Sequence, residues 1–201
     1  MGGVKAHVLY DIEAQVPAFY TVTTASKHDS TAMSSVSCEP NAYYVFDRAY
    51  DSFKELYRIH LTESFFVVRA KTNLKYKIVK WKRRMPKNVL THLSALDVAN
   101  LYQKRWLVEL FFKWLKQHLK IKRFWGTTEN AVRIQISVAI ITYCLVAIVQ
   151  HDMRLERSTY EVLQILSISL TDKTHLRDLF DKTNFNDVKD QFGPLIPGLF
   201  D

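Results

Sequence analysis

The segment from Tyr102 to Lys120 most strongly restricts how this chain can fold, because it reads as one amphipathic helix without Gly or Pro. Ser94 and Asp97 fit a capping box, which predicts that the helix begins there and runs to about Phe124. At about 100° per residue, a narrow polar stripe follows the helix and the remaining circumference is apolar. The stripe contains Tyr102, Arg105, Glu109 and Lys116, with Lys113 and Lys120 at its edge. We therefore expect the apolar side to be buried and the stripe to be open.

The stripe has two interpretations. A carboxylate bordered by cations, as Glu109 is, suits a site where a metal ion and phosphates meet. The alternative is an exposed ion pair between Arg105 and Glu109, which contributes about 0.2–0.5 kcal/mol on a helix. Asp47 favours the metal site, because it follows the apolar strand Ala42–Phe46, where sheet-bound catalytic carboxylates often lie. The alternative for Asp47 is a helix cap, but Asp51 and Ser52 are better placed to cap the next helix.

Strand-like and helix-like segments alternate through the first half of the chain, and the second half is helical. In chain order the predicted elements are a hairpin of Ala6–Tyr10 and Ala18–Val22, a strand at Ala42–Phe46, a helix opened by a Ser52–Glu55 capping box, a strand at Ser64–Arg69, and helices after Ser94, over Thr128–Met153 and over Thr159–Ile168. This order predicts an α/β chain.

The net charge favours a polyanionic partner. Lys and Arg outnumber Asp and Glu by 28 to 20, which gives a formal charge of +8 and a pI of about 9.4. Nucleic acid and an anionic membrane surface both fit such a charge. Residues 69–87 carry nine Lys and Arg and no acidic residue, with Tyr76 and Trp81 interleaved. This segment is either a nucleic-acid surface or a solvated basic loop.

The sequence predicts a cytoplasmic protein. Lys5 is not followed by the apolar core of a secretion signal. The longest uncharged run, Ile134–Gln150, is shorter than the ~20 residues of a membrane span, which predicts a core helix instead. Cys38 and Cys144 lie far apart and are expected to be reduced thiols. The histidines show no metal-ligand spacing, so we interpret them as surface or hydrogen-bonded residues.

Two motifs resemble a known family. The spacing Tyr102-x2-Arg105-x3-Glu109-x6-Lys116 resembles the Tyr-Arg-Glu-Lys signature of DDE transposases of the insertion sequence 4 family. The segment Phe46-Asp47-Arg48-Ala49-Tyr50 resembles the residues around that family's second catalytic Asp. The resemblance covers nearly all of residues 1–201. It implies a partial RNase-H-like catalytic core, in which a mixed sheet with flanking helices is followed by a helical part at about residues 94–185.

The resemblance also implies a chemistry. Asp47 and Glu109 would ligate divalent metal, normally Mg2+ with Mn2+ as a substitute, in a two-metal site for phosphodiester hydrolysis and strand transfer. Phosphates would be held by Tyr102, Arg105, Lys116, Lys113, Lys120 and Arg48. The implied partners are double-stranded DNA at transposon ends and a second copy of the chain in a synaptic complex, at the nucleoid of a prokaryotic cell. No membrane partner is expected.

The sequence departs from the family in two places. The family's first catalytic Asp lies on a strand before the hairpin, and only Met1–Gly3 precede the hairpin here, so we expect that strand to be missing. Asp11 and Asp29 are the nearest acids, and neither lies in the expected context. The family's β-rich insertion before the Glu is expected to be absent or sharply shortened.

Two main hypotheses follow from these motifs and departures. The first is a transposase catalytic-core fragment, and the second is a non-catalytic DNA-binding or regulatory remnant that inhibits a full-length transposase through mixed dimers. A nuclease of another RNase-H-like type is a third hypothesis, against which Tyr102, Arg105 and Lys116 argue.

Overall fold

The computed structural model describes residues 3–71, 93–119, 121, 123–169 and 173–182. The chain forms two compact units, Met1–Leu110 and Phe111–Asp201. The four strands found in the described residues all belong to the first unit, and the described part of the second unit is helical. The predicted mixture of strands and helices, with a helical second half, is therefore confirmed.

The first unit begins with the predicted hairpin. Strand β1, Val4–Asp11, pairs antiparallel with β2, Val16–Thr24, and the register shifts by one bulge near the end of β1. Oδ1 of Asp11 accepts hydrogen bonds from the backbone N–H groups of Glu13 and Ala14, at 2.8 and 3.0 Å. An Asp that bonds the backbone ahead of it favours a turn, which explains why the polar stretch reverses the chain here.

A second pair of strands lies in the same unit. Strand β3, Tyr43–Phe46, runs parallel to β4, Phe65–Val68, and helix α1, Phe53–Leu61, connects them. The rings of Tyr43 and Phe65 lie opposite each other in this register and stack at 4.8 Å. In the part of the chain that the structure describes, the strands form two two-stranded sheets, whereas the sequence predicted one mixed sheet.

The core of the first unit lies against the end of β3. Its buried members are Met33, Tyr44, Leu56 and Ile59. Leu9 of β1, Phe46 of β3 and Tyr50 pack against this cluster. Burying one such apolar side chain contributes about 1.5–3 kcal/mol, so the cluster holds the residues on either side of Asp47 firmly in place.

The capping box predicted at Ser52 does not form. Ser52 is the N-cap residue of α1, but its side chain makes no capping hydrogen bond. Glu55 is buried and instead accepts a hydrogen bond from Nε of Arg58 at 2.9 Å. Arg58 also donates to the backbone carbonyl of Met33 at 2.7 Å. Glu55 therefore serves the contact between α1 and the short 3₁₀ helix Asp29–Ser35 rather than the helix end.

The predicted long helix after Ser94 is two helices. Ser94 and Asp97 form the predicted capping box, and helix α2 spans Ala95–Lys104. Helix α3 spans Trp106–His118, so the prediction of an uninterrupted helix to Phe124 is wrong. Phe111 and Leu115 are the buried residues of α3, α2 has none, and Trp106 is 60% exposed. The expectation that the apolar side is buried thus holds only for part of α3.

The second unit is built around helix α4, Glu129–Asp152, with α5, Thr159–Ser169, and α6, Leu176–Lys182. The side chain of Thr128 caps α4, and the sequence predicted both α4 and α5 but not α6. The core contains Val146, Val162, Ile165 and Phe180. The rings of Phe111 and Trp114 meet Tyr143 edge-on at 4.8 and 5.0 Å. Within this unit, α4 therefore packs against the part of α3 that follows Leu110.

Helix α4 is apolar on both of its faces. Its buried residues include Ile136, Ile140 and Tyr143. The opposite face leaves Ile134, Val138, Ile141, Leu145 and Ile148 between 51 and 62% exposed. At 24 residues, α4 extends beyond the uncharged run Ile134–Gln150 at both ends and is long and apolar enough to cross a membrane. These two properties alone are weak support for a membrane span, because the core helices of soluble proteins can be equally long and apolar.

Candidate functional site

Asp47 lies where β3 ends and a 3₁₀ turn, Arg48–Tyr50, begins. Its Oδ1 accepts a hydrogen bond from the Arg48 backbone N–H at 2.6 Å, so Asp47 caps this turn. The prediction that Asp47 has no capping role is therefore wrong. Its Oδ2 lies 3.7 Å from Nη1 of Arg105, and the side chain is 44% exposed. The carboxylate thus fixes the turn with one oxygen and presents the other to Arg105.

Arg105 and Glu109 lie at the break between α2 and α3. Arg105 follows the last residue of α2, and its backbone N–H donates to the carbonyl of Tyr102 at 3.1 Å. Nη1 of Arg105 donates to Oε1 of Glu109 at 3.1 Å. The Arg105 side chain is 22% exposed and that of Glu109 is 52% exposed. The structure therefore brings Asp47, Arg105 and Glu109 together in the first unit, with one guanidinium nitrogen facing both carboxylates.

The electrostatics of Arg105 agree with this geometry. Burial acts to lower the pKa of its guanidinium, but the hydrogen bond to Glu109 and the negative charges of Asp47 and Glu109 outweigh burial, so the pKa is raised. Arg105 is consequently a permanent cation between the two acids. Its Nε is buried, and no hydrogen-bond partner reaches it from the described residues. The guanidinium therefore retains an unused donor beside the acids.

Tyr102 contacts the same guanidinium. Its ring centroid lies 5.8 Å from Cζ of Arg105, within the range of a cation–π contact. Tyr102 belongs to α2 and Glu109 to α3, so the continuous helical stripe on which the prediction was based is interrupted at Arg105. Tyr102, Arg105 and Glu109 nevertheless remain neighbours, because Arg105 contacts both of the others.

His7 and Tyr50 support the turn that carries Asp47. Tyr50 is the last residue of that turn, and its backbone N–H donates to the Asp47 carbonyl at 3.0 Å. Its hydroxyl lies 2.8 Å from Nδ1 of His7, whose Nε2 lies 2.9 Å from Oγ1 of Thr23. Burial, followed by the charges of Asp29 and Asp47, raises the pKa of Tyr50 to about 12. The tyrosine therefore stays protonated and bonded to the hairpin.

Sequence reasoning missed this supporting role. His7 was interpreted only as a surface or hydrogen-bonded residue, and it is the second of these, since it is buried between two hydroxyl groups. The available signal was Tyr50 itself, which closes the Phe46–Tyr50 motif.

The two other acids considered for the site have different roles. Asp11 bonds the hairpin turn, and Asp29 lies 2.9 Å from Nζ of Lys5. Within residues 3–71, 93–119, 121, 123–169 and 173–182, no three or more His, Cys, Asp or Glu residues are grouped to hold a metal ion. Cys38 and Cys144 are free thiols, as predicted.

Asp47 and Glu109 nevertheless fit part of a divalent metal site. Their oxygens are the hard ligands that Mg2+ prefers, and Mg2+ commonly takes one or two carboxylates together with water and substrate phosphates. Both carboxylates are partly exposed and face the same cation, Nη1 of Arg105. These two side chains would hold the ion, and further ligands would have to come from water or phosphate.

The predicted phosphate-binding lysines are only partly described. Lys113 and Lys116 are exposed on the part of α3 that belongs to the second unit, and Arg48 is exposed in the turn after Asp47. Arg69 and Lys71 are also exposed. Lys120 lies outside the described residues, and so does the rest of the predicted basic segment, residues 72–87.

Comparison with known proteins places these features in a family. The profile of the transposase DDE domain matches residues 1–145. The "Putative transposase y4zB" of Sinorhizobium fredii is 29% identical over 88% of this chain and 61% of its own length. The "Probable transposase for insertion sequence element IS5377" of Geobacillus stearothermophilus is 31% identical over 71% of this chain and 48% of its own.

A third relative gives a shorter match. The "Putative transposase for insertion sequence element IS4SA" of Synechocystis sp. is 29% identical over 52% of this chain and 40% of its own length. The chain thus spans between 40 and 61% of the length of these relatives. No solved structure matches it. Because the profile covers well over half of its residues and includes both Asp47 and Glu109, the chain belongs to the transposase DDE domain family.

Proposed function

We propose that this chain is the catalytic-core part of a DNA transposase of the insertion sequence 4 type, which cleaves and joins phosphodiester bonds with a divalent metal, normally Mg2+. The observation that carries the proposal is the convergence of Asp47, Arg105 and Glu109. They come from a strand end and from a helix break far apart in the sequence. Arg105 and Glu109 belong to the Tyr-Arg-Glu-Lys signature, and Asp47 corresponds to the proposed second catalytic Asp of the family. One relative is also named for the insertion sequence element IS4SA.

The proposed fold is a partial RNase-H-like core over residues 1–201, with its helical part at about residues 94–185. Support comes from the order of elements in the first unit, an antiparallel hairpin followed by a parallel β3–α1–β4 crossover. In such a core a further strand would join the edges of β1 and β3 and carry the first Asp of the family. Neither Asp11 nor Asp29 is free to replace that Asp, because each already has another partner.

In the proposed reaction, the side chains of this chain bind and orient the DNA backbone. Asp47 and Glu109 would hold the metal, which when bound activates the attacking hydroxyl or water and steadies the leaving oxygen. Arg105 can grip a phosphate through two parallel N–H groups, whereas a Lys acts as a point charge. The other proposed phosphate contacts are Tyr102, Lys116, Lys113, Lys120 and Arg48. Such contacts position the strand without reading its sequence.

The proposed partner is double-stranded DNA at transposon ends, bound by two copies of the chain in a synaptic complex at the nucleoid. The charge of +8 supports an electrostatic attraction to DNA. Arg48, Lys113 and Lys116 are exposed and available for it.

A second candidate function is a non-catalytic DNA-binding or regulatory protein that pairs with a full-length transposase. Two observations favour it. The part of the chain that the structure describes holds no group of three acids, and the chain spans only part of the length of its relatives. The same cations would bind DNA, but cleavage would be absent.

Plasmid nicking tests the first function. The wild-type chain is expected to nick supercoiled plasmid DNA in Mg2+ or Mn2+, and Glu109→Gln is expected to abolish nicking because it removes a metal ligand. Glu129→Gln is the matched control, since Glu129 also pairs with an Arg four residues away but lies outside the site. Nicking by purified Glu109→Gln protein at the wild-type rate would exclude Glu109 as a catalytic ligand.

DNA retention separates the two candidates. Both predict that the affinity for duplex DNA falls with salt, with a log–log slope of roughly −0.9 for each phosphate that is neutralised. Salt-dependent retention without nicking by the wild-type chain would favour the regulatory function. A slope near zero would contradict both.

A further inference from the structure

Arg105 stands in the position that a divalent cation would take in the proposed site. Its Nη1 is 3.1 Å from Oε1 of Glu109 and 3.7 Å from Oδ2 of Asp47. A metal ion and this guanidinium would bind the same two oxygens, Oε1 of Glu109 and Oδ2 of Asp47. Their positive charges would also repel each other at such short range, so both cannot share the acids at full strength.

The guanidinium of Arg105 also has a hydrogen-bond donor that the two acids do not use. Its side chain is only 22% exposed, yet its buried Nε has no hydrogen-bond partner among the described residues. A guanidinium carries five N–H donors, and a buried unused donor is costly. A DNA phosphate offers charged acceptors in the paired geometry that an Arg prefers, so it could satisfy donors that Asp47 and Glu109 leave unused.

We propose that Arg105 is an internal counter-ion that blocks the metal site in the DNA-free protein, and that it releases Asp47 and Glu109 when its guanidinium takes up a DNA phosphate. This inference rests on the proposed function and adds a regulation to it. Metal and DNA would then strengthen each other's binding, because each favours the arrangement in which Arg105 has left the acids. Without DNA, the site would therefore bind metal only weakly.

An ordinary helical ion pair is the competing explanation. The pair of Arg133 and Glu129 has the same i,i+4 spacing, and it provides an example of such a pair without a second carboxylate near the Arg. Arg133 is 48% exposed, and no other carboxylate of the described residues lies within 4.0 Å of it. Arg105 differs on both counts, because it is less exposed and faces Asp47 as well.

A Mn2+ titration of the whole chain, followed by the electron paramagnetic resonance signal of free Mn2+, tests the inference without any cleavage. Arg105→Met, which keeps an apolar stem, is expected to bind Mn2+ about tenfold more tightly than the wild type. Arg133→Met is the matched control and is expected to bind like the wild type. Arg105→Ala serves as the second variant, and circular dichroism verifies that each protein is folded.

The outcomes are separable. If both folded Arg105 variants bind Mn2+ no more tightly than the wild type, Arg105 is not a counter-ion that blocks the site. If Glu109→Gln still loses Mn2+ binding in that case, the proposed metal site itself remains supported. Absence of binding in every variant would overturn both. A short duplex, with its own Mn2+ uptake subtracted, is expected to tighten Mn2+ binding by the wild type and not by Arg105→Met. Equal tightening in the two proteins would contradict the proposed release by phosphate.

Discussion

Two Arg–Glu pairs in this protein share residue types and spacing but differ in what surrounds them. Arg105 and Glu109 are joined by one hydrogen bond of 3.1 Å, whereas Arg133 donates twice to Glu129, at 3.0 and 2.7 Å. The second pair is more exposed, with side chains at 48 and 67% against 22 and 52%. Only the first pair is approached by a further carboxylate of the described residues, that of Asp47.

The difference shows that the i,i+4 pattern by itself does not identify a site. On a helix, an i,i+4 ion pair is more stabilising when the Glu precedes the basic residue, and the Glu129–Arg133 pair has that order. The Arg105–Glu109 pair has the weaker order and lies at a helix break. What makes it a candidate site is Asp47, the residue that follows β3, which the helix alone cannot supply.

Loss of either carboxylate should have the largest effect. Asp47→Asn and Glu109→Gln each remove one hard ligand, and we expect the affinity for Mn2+ to fall by on the order of 100-fold, at least as much as the loss of a supporting group costs. Glu129→Gln should leave the affinity unchanged. The same Mn2+ titration measures all three. If Asp47→Asn binds Mn2+ as the wild type does, the two Arg–Glu pairs are equivalent and the site is not formed.

Some of this arrangement was predictable, because its causes are local. The hairpin follows from alternating residues on either side of a turn that Asp11 bonds, and the Ser94 capping box needs only two residues three apart. The stripe residues Tyr102 and Glu109 were identified correctly as neighbours of Arg105, since residues three or four apart meet on a helix.

Other features depend on partners that are distant in the sequence. Ser52 and Glu55 have the spacing of a capping box, but the Glu55 carboxylate accepts a hydrogen bond from Arg58 instead. Arg58 also donates to the backbone carbonyl of Met33. The break at Arg105 has no Gly or Pro to mark it, and nothing in the local sequence explains it. The capping by Asp47 was also missed, because a 3₁₀ turn directly after a strand has no periodic pattern.

Tyr50→Phe should have the next largest effect. It removes the hydroxyl that binds His7, and losing one such hydrogen bond lowers the free energy of unfolding by about 1 kcal/mol. Because Tyr50 closes the turn that begins at Asp47, Mn2+ affinity should also fall. Urea unfolding and the Mn2+ titration measure these two quantities.

Tyr57→Phe provides the control for that substitution, since Tyr57 is 62% exposed on α1. It should change neither quantity. A Tyr50→Phe protein with lower stability but unchanged Mn2+ affinity would show that the His7–Tyr50 contact holds the fold without positioning Asp47.

A smaller effect is expected from pH. Burial, opposed by Asp29 and assisted by Lys5, lowers the pKa of His7 from 6.5, so the folded state resists protonating it more than the unfolded state does. The contribution of neutral His7 is therefore complete above pH 6.5 and is lost as the pH falls through the lowered pKa. The urea midpoint should therefore decrease as the pH falls below 6.5.

His118 has to be removed from that measurement, because burial lowers its pKa as well. In a His118→Gln background the decrease in the urea midpoint should persist. Adding His7→Gln should remove the decrease, because the amide does not titrate, and it should preserve the fold, because the amide can still bond Tyr50 and Thr23. If His7→Gln leaves the pH profile of the urea midpoint unchanged, another group causes the pH dependence, and the titration of His7 does not affect the turn that carries Asp47.

The smallest effect tests the comparison most directly. Double-mutant cycles with Ala should give a coupling of about 0.3–0.5 kcal/mol for Glu129 with Arg133, as exposed helical pairs do. The coupling of Arg105 with Glu109 should be larger, near 1 kcal/mol, because Arg105 is less exposed and the Asp47 charge adds to its field. Urea unfolding at low and high salt measures both, and salt should weaken the exposed pair proportionally more. If the Arg105 coupling is the smaller of the two, helix order outweighs burial, and Asp47 is too distant to matter to the free protein.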